Sequence, residues 1–129
     1  MASIFSKIIS GEIPSFKIYE DENFLAFLDI NPNTIGHTLC IPKKEVDQLF
    51  DLDDKTLSEL IIFSKKIANA IKKALVCERV GMSVIGLEVP HVHVHLIPIN
   101  NMNDMSFDSK INMTENQFIE TMNKIKSYI

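Results

Sequence analysis

Apolar residues recur along this chain with two periods, near two and near 3.6, and the changes between them mark eight elements. Residues 17–20, 24–28, 37–41, 79–85 and 91–97 are short runs rich in Val, Ile, Leu and Phe, bounded by Asp, Asn, Gly or Pro, and read as strands. Asp21-Glu22-Asn23 is turn material, so the first two strands form a hairpin. Ile4, Phe5, Ile8 and Ile9 fall on one side of a short helix running to about Ser10, with Ser3 as its cap and Gly11 as its stop. From 57 to 75 the apolar positions 57, 60, 61, 67, 68, 71, 74 and 75 give the longest helix, capped by Asp53 or Asp51. Phe118, Ile119, Met122, Ile125 and Tyr128 mark a last helix, opened by a Thr114–Gln117 capping box. The order α-β-β-β-α-β-β-α with hairpin-length connections predicts an α+β fold with a mainly antiparallel five-stranded sheet.

The chain of 129 residues is read as one domain, with 1–100 as its core and 101–129 as a polar loop plus the final helix. Its net charge of −4 argues against wrapping a nucleic-acid polymer, though a single nucleotide needs only a few local donors. Cys40 and Cys77 belong to no Cys-x-x-Cys pair and read as small buried residues in a reducing compartment. The first residues lack a basic region and a long apolar run, and no stretch is long enough to span a bilayer. The cytoplasm, with no membrane contact, is the expected location.

Candidate chemistry is concentrated in Pro90-His91-Val92-His93-Val94-His95-Leu96-Ile97-Pro98, which holds three of the four histidines at alternate positions. In a strand His91, His93 and His95 share one face, about 6.5–7 Å apart in sequence, while Val92, Val94 and Leu96 enter a core. Such a row could be an exposed polar face, a metal site or a phosphorus-directed site. The metal reading asks side chains spread over about 13 Å of strand to converge on one ion. The third reading uses the imidazole as a nucleophile that is neutral near pH 7.

His91-Val92-His93-Val94-His95-Leu96-Ile97 resembles the signature of the histidine triad superfamily of nucleotide-binding hydrolases and transferases, His-φ-His-φ-His-φ-φ with φ apolar. Residues 4–15 with Tyr19-Glu20-Asp21-Glu22, and Asp29-Ile30-Asn31-Pro32 with Gly36-His37 and Ile41-Pro42-Lys43-Lys44, resemble further segments of its small nucleotide-binding members. The resemblance implies His93 as nucleophile, forming a covalent nucleotidyl-histidine that water cleaves. It implies His95 at the phosphate or leaving group, His91 as an orienting residue, and His37 closing the cluster from the neighbouring strand. It also makes Asp29 the ribose anchor, and Ile30, Phe27, Ile4, Phe5 and Ile8 the walls of a nucleobase pocket, with Gly86 in the phosphate loop. From the residues alone, Asp29 is a turn-forming Asp and those apolar residues are ordinary core.

The sequence also departs from that pattern. Many bacterial members hold zinc through a Cys-x-x-Cys pair, a later histidine and the first triad histidine. The first three of those positions are Ser3, Ser6 and Glu45 here, so no metal or other cofactor is expected. Gly86-Leu87-Glu88 stands where the family commonly has Gly-Gln-Ser or Gly-Gln-Thr, and Glu88 repels a phosphate unless it is turned away, protonated or paired with His91. The retained His95 argues against the sugar-1-phosphate transferase branch. The expected function is a purine-nucleotide-binding hydrolase that cleaves nucleoside 5'-phosphoramidates or related conjugates to the nucleoside monophosphate. A dinucleoside polyphosphate hydrolase and a nucleotide-binding interaction module with little catalysis are the alternatives. A homodimer is expected from the resemblance.

Overall fold

The computed structural model describes residues 2–129. Its elements are α1 (Ile4–Ile9), β1 (Lys17–Glu20), β2 (Phe24–Leu28), β3 (Thr38–Pro42), α2 (Asp54–Ala74), β4 (Arg79–Ser83), β5 (Val94–Ile99) and α3 (Glu115–Lys126). Short 3-10 turns at Leu49–Asp51 and Met102–Met105 interrupt segments that the sequence presents as irregular. The five strands form one antiparallel sheet in the order β1-β2-β3-β5-β4. The chain therefore leaves β3, passes through α2 to the far edge, and returns with β5 between β3 and β4.

Strand alternation sorts the two faces. Phe24, Ala26, Leu28, Cys40, Val94 and Leu96 pack toward α2 and α3, against Leu60, Phe63, Ile67 and Ile71. Leu25, Phe27, Leu39 and Ile41 take the other face, where α1 contributes Phe5 and Ile8. His93 and His95, one residue out of step with Val94 and Leu96, therefore stand on the α1 face. Phe16 stacks on Phe118 at 4.9 Å, fixing α3 beside β1.

The caps expected from sequence are present. Ser3 Oγ accepts from the Ser6 N–H, Asp53 from the Thr56 N–H, and Thr114 and Gln117 form a complete capping box. Such caps satisfy backbone donors that a helix start leaves unpaired, each contributing about 1 kcal/mol. The stripe of α2 differs in detail: Ile61 is 38% exposed, while Phe63 is buried.

The histidine strand also differs. It begins at Val94, not His91, because the His91 N–H bonds back to the Val89 carbonyl and the Val92 N–H bonds to the Val46 carbonyl in the β3–α2 connection. Nor does Pro98 end it. Beyond Leu96 only β4 pairs with β5, and a strand with one open side tolerates proline. β4 stops at Ser83, short of the expected Ile85. β3 starts one residue late and includes Pro42 as its last member. Among the described residues no helix is long and apolar enough to cross a membrane.

Candidate active site

A cleft of about 570 Å³ opens on the α1 face at the carboxyl end of β2 and the amino end of β5. Of the residues singled out from sequence, Ile4, Phe5, Asp29, Gly86, His93 and His95 line it. Phe27 and Ile8 are buried beneath this surface, with Phe27 edge-on to Phe5 at 5.7 Å. Ile30 is 72% exposed and outside the cleft lining. His37 and His91 are buried and reach the cleft only through their neighbours.

Main-chain groups fix the protons on three of the four imidazoles, and on the fourth, His95, by way of His37. A backbone N–H can only donate and a carbonyl can only accept, so each such partner assigns a tautomer. His93 Nδ1 lies 2.8 Å from the His91 carbonyl and must carry the proton, leaving a lone pair on Nε2. The Asn33 N–H donates to His37 Nδ1 at 2.9 Å, so His37 carries its proton on Nε2. That Nε2–H donates to His95 Nδ1 at 2.9 Å, which leaves His95 with a donor at Nε2. One ring thus offers a lone pair and its neighbour offers a proton, with ring centres 4.8 Å apart.

Burial is the main cause that lowers the pKa of His37 to about 3 and of His95 to about 4, with the adjacent imidazoles and Lys110 adding to it. Both rings are therefore neutral near pH 7, as the assigned tautomers require. Asp29 sits at the end of β2, where its Oδ1 accepts from the Asn31 N–H at 2.9 Å and its Oδ2 lies 3.5 Å from His37 Nε2. Burial raises its pKa above the ordinary carboxylate value.

The loop carrying Asp29, Asn33 and His37 is shaped by Gly36, whose φ is +95°. A Cβ there would also press on the end of the Leu75 side chain, which would have to move, so conformation is the main reason for glycine. Gly86 has φ +77° with open space around it, so conformation alone favours glycine in that loop.

Two questions of metal binding can be tested on the geometry. Asp29, His37 and His95 place ligand atoms within 4.8 Å of one another. However, His37 Nε2 holds a proton because Asn33 occupies Nδ1, and a metal at Nε2 would turn an Nδ1–H against that N–H. The set does not fit a cation. The second set is Ser3, Ser6, Glu45 and His91, which the fold does bring together. Ser3 Oγ lies 2.8 Å from His91 Nδ1, Ser6 Oγ donates to Glu45 Oε1 at 2.7 Å, and Glu45 Oε1 is 4.0 Å from His91 Nδ1. His91 Nε2 donates to the Pro42 carbonyl at 2.8 Å, so Nδ1 accepts the Ser3 hydroxyl proton. Only Glu45 and His91 are competent ligands, and His91 Nδ1 is already satisfied, so zinc does not fit here either. The Ser6 hydroxyl, with help from the Ser3 N–H, brings the Glu45 pKa down to about 2. The carboxylate beside His91 is Glu45; Glu88 is exposed on the cleft wall.

Phe107, Lys110 and Asn33 were not singled out from sequence. Phe107 lies edge-on to His95 at 4.8 Å, and Lys110 lines the same wall. The only signal for Phe107 and Lys110 was one aromatic and one cation in an otherwise polar, Met-rich segment, and Asn33 read as a loop residue.

Comparison with known proteins gives a consistent set of matches. The HIT domain family model matches residues 10–102. An uncharacterized HIT-like protein of Borreliella burgdorferi is 40% identical, with 98% of this chain and 97% of that protein covered. The adenosine 5'-monophosphoramidase HNT1 of Saccharomyces cerevisiae is 44% identical over 75% of this chain and 62% of its own length. Among solved structures, a Hit-like protein from Bartonella henselae superposes with a TM-score of 0.88 at 36% identity, covering 98% of this chain and 96% of that one.

Proposed function

The chain belongs to the histidine triad family, at the level of a nucleotide hydrolase, and from that premise we propose that it cleaves purine nucleoside 5'-phosphoramidates or related nucleotidyl conjugates to the nucleoside monophosphate. The observation that carries this reading is the pairing of a free lone pair on His93 Nε2, set by the His91 carbonyl, with a donor on His95 Nε2, set from the Asn33 N–H through His37, both on the cleft.

In the first step His93 Nε2 bonds to phosphorus while the bond to the departing nitrogen or oxygen breaks and keeps its electron pair. The departing atom is protonated by way of His95. In the second step water adds to phosphorus, the His93–phosphorus bond breaks, and the water proton passes to His95, which returns the protein to its starting state. Asp29 takes the ribose hydroxyls, and Ile4 and Phe5 face the base, with Phe27 and Ile8 backing them. Gly86 lets the loop before the triad approach the phosphoryl group. His37 holds His95, and His91 holds His93 through its carbonyl.

The relative named adenosine 5'-monophosphoramidase supports the phosphoramidate class over dinucleoside polyphosphates. The same reading includes a cytoplasmic homodimer; the free edge of β4 is a surface suited to pairing. Turnover of an adenosine 5'-phosphoramidate is the test. His93→Ala is expected to lower kcat by at least about a thousandfold while AMP still binds. Tight AMP binding by a wild-type chain that turns over neither a phosphoramidate nor a diadenosine substrate would instead make it a binding module.

A further inference from the structure

The segment after β5 folds back over the site and is tied down at one buried residue. The Asn33 side chain donates to the Asp104 carbonyl at 3.1 Å and accepts from Lys110 Nζ at 2.8 Å, while the Ile111 N–H bonds to the Pro32 carbonyl. Lys110 Nζ also lies 4.8 Å from the centre of the Phe107 ring. Lys110 forms no ion pair among the described residues, and it is the one Lys or Arg among those lining the cleft, where Asp29 and Glu88 are the acids.

Its place in the order of contacts is informative. Aromatic rings touch in the sequence Phe5–His93–His95–Phe107, at 4.9, 4.8 and 4.8 Å. Phe5, on the proposed base wall, adjoins the nucleophile, whereas Phe107 and Lys110 adjoin the ring that serves the departing atom. In-line displacement at phosphorus sends the leaving group away from the nucleophile.

We propose that Phe107 and Lys110 form the leaving-group subsite, and that Lys110 selects departing groups carrying a carboxylate or phosphoryl group. This rests on the hydrolase reading above. Asp29 and Glu88 would repel such a group, and Lys110 supplies the compensating charge. A carboxylate or phosphoryl oxygen accepts from its ammonium, which Asn33 and the Phe107 face hold in place.

The experiment compares three adenosine 5'-phosphoramidates whose amines differ in the terminal group: glycine, glycinamide and aminomethylphosphonate. The wild type is expected to favour the two charged arms over glycinamide by about tenfold in kcat/KM. In Lys110→Met that ratio falls to near one, in Lys110→Arg most of it returns, and added salt reduces it in the wild type. The larger of the two charged-arm ratios identifies carboxylate or phosphoryl as the preferred group. A wild-type ratio near one overturns the proposal. So does an equal loss on all arms together with weaker AMP binding, which would assign Lys110 to the nucleotide half through Asp29. If no arm is turned over, the hydrolase reading falls, and displacement of AMP by the same compounds decides the subsite. A charged-arm preference in affinity that Lys110→Met abolishes upholds it, and equal affinities overturn it.

Discussion

The two outer histidines of the triad are four residues apart, share a face and are both neutral, yet their surroundings differ in kind. Around His91 every polar atom is answered: Pro42 takes Nε2–H, Ser3 fills Nδ1, and Ser6 and Glu45 close the circuit at the surface. Around His95 the chain of hydrogen bonds runs from Asn33 through His37 and stops at a donor on the cleft. The difference teaches that burial and a lowered pKa do not by themselves mark a reactive residue. What sets His95 apart is that its hydrogen-bond chain ends at the cleft, which is why the proposed mechanism uses it.

The largest effect expected from breaking this contrast is an exchange of phenotypes. His95→Ala is expected to cut kcat/KM by about a hundredfold or more, with chemical-denaturation stability near wild type. His91→Ala is expected to lower stability by about 2–3 kcal/mol, since it strands the Ser3 hydroxyl and the Pro42 carbonyl, and to cost less than tenfold in kcat. Urea unfolding and steady-state kinetics on both variants check it, and similar kinetic losses for the two would erase the distinction. Ser3→Ala comes next. It removes the α1 cap and the partner of His91 Nδ1, for about 2 kcal/mol, while AMP affinity stays near wild type.

The same contrast has a pH dependence. His37 and His95 have folded pKa values lowered to about 3 and about 4, chiefly by burial, against an ordinary value of 6.5. The unfolded chain therefore takes up protons that the native state refuses. Stability from these groups is complete above about pH 6.5 and declines as pH falls toward their folded values. The slope is at most about 1.4 kcal/mol per pH unit for each histidine. Unfolding midpoints at pH 7 and pH 5 should fall accordingly, and less steeply in His37→Asn. Glu45, lowered to about 2, acts only below that range.

Much of this was legible in the sequence because it is local. The caps at Ser3, Asp53 and Thr114, the hairpin around Asp21, and the opposed faces of His93 and Val94 each depend on residues a few positions apart. The start of β5 was not legible, because Val92 finds its partner at Val46 through the tertiary path of a connection. Ile61 is exposed and Phe63 buried because the helical period admits either, and Phe63 is the one that meets Tyr19 and Phe24 of the sheet. Phe107 and Lys110 were missed because their segment is brought to the cleft by bonds to Pro32 and Asn33, the latter 77 positions before Lys110.

One further consequence lies in how the imidazole protons are placed. The groups that assign them are the amide of Asn33 and the carbonyls of His91 and Pro42, atoms that nearly every amino acid supplies. Substituting side chains at positions 33 or 42 therefore leaves the acid–base assignment untouched provided the loop keeps its path. An inserted or deleted residue there would scramble it with all four histidines still in place. On the proposed mechanism, then, what would tell nucleophile from acid is the length and curvature of these loops more than the identity of their residues.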